Sequence, residues 1–89
     1  MQQQVNSEVT AAVTKLNNAI AIAIAEQRVN KSNCIITTYN GEDVQLYSLT
    51  MLLNRIIEKY DIYMYYANSK NPDTLAKVTK SVLNMCKKA

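Results

Sequence analysis

The sequence predicts an α+β protein: a long helix, a two-stranded antiparallel hairpin, a second helix and a C-terminal helix. Three observations lead there. Glycine and proline occur once each, so chain breakers are rare and a mainly helical protein is expected. Long stretches repeat their apolar residues at three-and-four spacing, the mark of amphipathic helices. Between the first two such stretches, Asn40-Gly41 joins two runs of strand-forming residues, which marks a tight hairpin turn. With 89 residues, 48% hydrophobic and 19% charged, the chain has the composition of one small globular domain that buries about 60–65% of its unfolded surface. Residues 1–69 form the expected helix–hairpin–helix core, and residues 70–89 a basic C-terminal helix of the same domain.

The first element poses a choice between strand and helix, because "NNAIAIAIAEQR" (residues 17–28) alternates alanine with isoleucine. Period two suggests a strand, yet alanine is the best helix former and a poor strand former. The longer pattern decides it. Val5, Val9, Ala12, Val13, Leu16, Ala19, Ile20, Ala23 and Ile24 follow helical spacing, with Asn6 or Ser7 as the expected cap and the end near Val29. On that helix Ile22 points about 160–200° away from Ile20 and Ile24. It is either a singly exposed apolar residue or a contact for another subunit.

Asn30-Lys31-Ser32-Asn33 reads as a polar connector. In the hairpin that follows, a two-residue Asn40-Gly41 loop of type I′ sets Thr37 opposite Val44 and Ile35 opposite Leu46, so that these four share one face, whereas a three-residue loop would bring Ile36 in instead. In the second helix Ser48 is the expected cap. Leu49, Leu52, Leu53, Ile56, Ile57, Tyr60 and Met64 form its apolar stripe. Tyr63, Tyr65 and Tyr66 do not all share that stripe, and an apolar ring with a polar tip suits a partly buried interface. The last helix opens on Asn71-Pro72-Asp73, which combines a capping side chain, a proline at the first position and an acid in the first turn. Leu75, Val78, Val82, Met85 and Cys86 make its apolar face, and Lys77, Lys80, Lys87 and Lys88 lie away from it.

Composition bears on function mainly by exclusion. There is no histidine, the lone glycine rules out a glycine-rich phosphate loop, and no serine or cysteine stands in a nucleophile motif. Two cysteines, Cys34 and Cys86, without histidine do not make a zinc site; they read as free thiols, with a disulfide between them as the minority alternative. No enzyme activity, metal or cofactor is expected. No apolar run approaches the roughly 20 residues of a membrane span, so no membrane partner is expected either. The net charge of +3 is uneven: residues 1–69 hold five basic and six acidic side chains, whereas residues 70–89 hold five lysines against Asp73. Lysines so placed suit phosphate or an acidic surface, or simply form a solvated helix face. The tail has no arginine, so it is not expected to read base sequence.

The stretch "ITTYNGEDVQLYSLTMLLNRIIEKYDIY" (residues 36–63), a strand, a tight Asn-Gly turn, a strand and a leucine-rich amphipathic helix, resembles the gpW-like head-completion proteins of tailed phages. The alanine-rich first helix is similar to theirs, and the resemblance covers about the first two-thirds of the chain. Its most specific part runs from Tyr39 to Leu53, and the C-terminal helix departs from the compact family pattern. The resemblance implies a non-enzymatic virion protein at the head–tail junction, made in the host cytoplasm. It implies a homo-oligomeric ring below the portal on which tail or neck proteins dock. A ring subunit needs contacts on two sides, which makes Ile22, Tyr63, Tyr65 and Tyr66 candidate interface residues. Lys77, Lys80, Lys87 and Lys88 become candidate contacts to the portal or, without sequence preference, to packaged DNA. The alternative is a small phage-encoded regulatory binder, either an inhibitor of a host defence complex or a nucleic-acid-binding protein.

Overall fold

The computed structural model describes residues 2–89. Its elements are α1 (Gln2–Glu26), β1 (Arg28–Val29), β2 (Ile35–Tyr39), β3 (Glu42–Gln45), α2 (Leu46–Ala67) and α3 (Pro72–Lys87). The three helices pack on one another, and β2 lies against α1 and the start of α2. The α+β expectation holds, with one strand more than the sequence pattern predicts.

The Asn-Gly turn forms as expected. Asn40 and Gly41 both take positive φ, 54° and 82°, as a type I′ turn requires, and Thr37 pairs with Val44 and Tyr39 with Glu42. The face carrying Thr37 turns inward, and Thr37 is almost completely buried. The polar connector is itself a turn. The Asn30 side chain accepts from the amides of Ser32 and Cys34 at 3.0 and 3.1 Å, Asn33 adopts a φ of 61°, and β1 comes back antiparallel to β2 with Arg28 opposite Ile36. The sheet order is therefore β1-β2-β3.

Helix α1 starts before Asn6 and Ser7, so neither caps it. It stops at Glu26, where Gln27 takes a φ of 50°, and so it does not reach Val29. Val5, Val9, Ala12, Leu16, Ala19 and Ala23 make its buried line; the small alanines let neighbouring backbone approach closely. Ile24, assigned to that face by spacing, is instead 52% exposed. It lies at the margin of the stripe, about 100° around the helix from buried Ala23.

Helix α2 begins at Leu46 with Gln45 as its N-cap, without a side-chain capping bond, so Ser48 lies inside the helix. Its buried residues are Leu49, Ile56 and Tyr63. The face is rotated from the expected stripe, bringing Tyr63 in and leaving Ile57 44% exposed, because α2 packs against both α1 and α3. The start of α3 follows the sequence reading: the Asn71 side chain accepts from the Thr74 amide at 3.2 Å, with Pro72 at the first helical position and Asp73 in the first turn. Val82 and Cys86 enter the core with Thr79, whose hydroxyl donates to the Leu75 carbonyl at 2.7 Å. Cys34 and Cys86 are both free thiols.

Candidate assembly surfaces

Three surfaces stand out, each on a different part of the fold. The first is at the C-terminal end of α1. Ile22 and Ile24 flank the buried Ala19–Ala23 line from opposite sides, 51% and 52% exposed, and Val29 on the edge strand β1 is 55% exposed. Ile22 borders a recess of about 550 Å³ shared with Glu26, Arg28, Thr37 and Thr38. Beside it a polar chain crosses the sheet: Arg28 Nη2 donates to Thr38 Oγ1 at 3.1 Å, and Thr38 Oγ1 donates to Asp43 Oδ1 at 3.3 Å. Arg28 also pairs with Glu26 and Asp43 at 3.6 and 3.7 Å. These are exposed pairs, worth little to stability, so they orient side chains rather than hold the fold.

The second surface is the outer side of α2. Tyr65 is 70% exposed, with Ile57 and Ile62 to either side of it and Glu58 and Asp61 exposed between them. Tyr66 is half-buried and meets the Tyr65 ring edge-on, centroids 5.1 Å apart. Tyr63 does not join them. At 2% exposure it is a core residue, stacked with Tyr60 at 6.1 Å, so its assignment to an interface is corrected. Burial raises its phenol pKa above the ordinary range, and neighbouring Tyr60 adds to the rise.

The third surface is on α3. At about 100° per residue Lys77, Lys80, Lys87 and Lys88 fall within an arc of about 100°, and all four are exposed. On one side of the arc lies a groove of about 430 Å³ between α3 and the first turns of α1. Ala76, Thr79 and Leu83 form its apolar part, and Lys80 and Lys87 face Glu8 across it. Cys86 lies in the core nearby; burial, then the Glu8 charge, raises its thiol pKa.

Spacing alone exposes Ile22, Tyr65 and the lysines, but it misses Ile57 and Ile62. Opposite the core stripe of α2, Tyr47, Met51, Asn54, Glu58, Asp61 and Tyr65 follow a four-and-three spacing, but three of the six are polar and the pattern does not point to Ile57 or Ile62. Among the described residues no group of three or more histidine, cysteine or acidic side chains gathers as metal ligands, and no helix is long and apolar enough to cross a membrane. Comparison with protein-family models, with curated proteins and with solved structures finds no match to this chain.

Proposed function

We propose that this protein is a non-enzymatic structural subunit of a tailed-phage particle. In this reading it forms a homo-oligomeric ring at the head–tail connector below the portal and offers a docking surface to tail or neck proteins. One observation carries the reading: large apolar side chains stay exposed in two separate groups, Ile22, Ile24 and Val29 at the end of α1, and Ile57, Ile62 and Tyr65 on α2. Single exposed apolar residues are ordinary, whereas groups of them mark contact surfaces. The α2 group suits contact between copies, and the group at the end of α1 suits a further partner such as a tail or neck protein. The helix–hairpin–helix order with its tight Asn-Gly turn supports the phage setting; β1 and the packed α3 are additions to that pattern. The basic face of α3 gives the subunit a surface for an acidic partner, the portal or packaged DNA among them.

The test is quantitative mass spectrometry of purified particles from the phage that encodes this chain. A fixed multiple-copy ratio to the portal protein is expected. Recovery only from the infected-cell extract, with none in the particles, would point instead to the regulatory binder.

A further inference from the structure

Resting on the assembly reading above, we infer that the outer face of α2 in one copy seats on the α1–α3 groove of the next, with Glu58 and Asp61 opposite Lys80 and Lys87. The two surfaces complement one another in charge and in apolarity. On α2, the exposed arc from Ile57 to Tyr65 carries two acids, Glu58 and Asp61, and the nearest basic residues, Arg55 and Lys59, lie about 60° and 100° from Glu58 around the helix. Isoleucine flanks the acids on both sides, and Tyr65 stands one turn beyond Asp61. The groove offers the counterpart: Ala76, Thr79 and Leu83 for apolar side chains, and Lys80 and Lys87 along the α3 side, with Lys77 and Lys88 on the same arc. Glu8 on the α1 wall is the one acid that lines it, so the positive charge dominates.

Geometry allows the contact to propagate. The two surfaces lie on different helices and have no residue in common, so one copy can present its α2 face to one neighbour and its groove to another. Such a head-to-tail contact is heterologous, and it generates a ring when its rotation closes. The charged rim sets register and partner choice, while the apolar side chains supply the buried centre. Exposed charges are screened by salt, so the contact weakens as ionic strength rises.

Light scattering coupled to size exclusion tests this on the full chain, with circular dichroism to confirm folding. Two variants are compared with the wild type: Glu58→Lys with Asp61→Lys, and Lys80→Glu with Lys87→Glu. Each replaces exposed side chains and leaves the core alone. Each variant alone is expected to weaken assembly about tenfold or more through like-charge repulsion. Mixed in equal amounts, the two are expected to assemble again, because each supplies the charge that the other has lost. A wild type that stays monomeric at every concentration overturns this inference and the assembly reading together. A wild type that assembles, with both variants assembling equally well, overturns this inference alone. Dispersal by the lysine reversal but not by the acid reversal also overturns it, and assigns the lysines to a different acidic surface of the neighbouring copy.

Discussion

The hydroxyl of Tyr39, at the end of β2, donates to the main-chain oxygen of Ala89 at 2.6 Å. The bond joins the hairpin to the end of α3 across 50 residues of sequence, and the Asn40 side chain donates to the same oxygen at 3.1 Å. From α1, Lys15 Nζ donates to Asn40 Oδ1 at 2.7 Å and lies 5.1 Å from the centre of the Tyr39 ring. One tyrosine therefore ties three elements together. Tyr39→Phe keeps the ring beneath Lys15 and removes only the hydroxyl, so a loss of about 1 kcal/mol is expected in urea unfolding. Tyr39→Ala removes the ring as well and is expected to be clearly worse. Equal losses for the two would mean that the ring contributes nothing.

Ile56 and Ile57 are neighbours in sequence with opposite fates, one fully buried and the other 44% exposed. Ile56→Ala is expected to cost about 2–5 kcal/mol, since it opens a cavity between packed helices. Ile57→Ala is expected to cost well under half of that in the monomer. Denaturant midpoints of the two variants, measured at low protein concentration, check the rotation of the α2 face.

Gly41 sits at a φ of 82° with nothing within 4 Å of the position a Cβ would take, so the demand there is conformational rather than steric. Gly41→Ala is expected to destabilise by about 1–2 kcal/mol through the left-handed backbone alone. Asn71→Ala, which removes the bond to the Thr74 amide, is expected to cost about 1 kcal/mol. Thermal or urea unfolding reads both.

Burial raises the phenols of Tyr39 and Tyr63 above 10.0, with Tyr60 adding to the rise at Tyr63, and raises the Cys86 thiol above 9.0, with Glu8 adding there. Each group holds its proton to higher pH in the folded chain than in the unfolded one. Their contribution to stability is whole below the ordinary values and is lost as pH rises through the folded ones. Urea midpoints are therefore expected to hold through neutral pH and decline above about pH 9, less steeply in Tyr63→Phe. A thiol reagent at neutral pH should modify half-buried Cys34 well before Cys86. A midpoint that climbs above pH 9 would contradict the burial of these groups.

Much of the fold was legible because local chemistry spelled it out. Asn40-Gly41 set both turn and register, and Asn71-Pro72 set the start of α3. What escaped depended on neighbours. Arg28-Val29 is too short to carry a strand pattern, and β1 exists because Asn30 and Asn33 turn the chain back onto β2. Asn6 and Ser7 are capping residue types, but the chain before them continues the helix, and Asn6 instead accepts from the Tyr60 hydroxyl at 2.7 Å. Tyr63 is buried and Ile57 exposed because α2 packs against both α1 and α3, contacts that no pattern within α2 reveals. At the candidate surfaces the exposure of Ile22 and Tyr65 and the shared lysine face could be read from spacing. The apolar flanks of α2 could not.

The most direct test of assembly is light scattering coupled to size exclusion on the wild type and on Tyr65→Asp, at the centre of the exposed α2 face, over a wide concentration range, with circular dichroism to show that the variant keeps its helices. The account predicts reversible assembly of the wild type into a defined oligomer, and a folded Tyr65→Asp that stays smaller at every concentration. A wild type that remains a monomer throughout would contradict it.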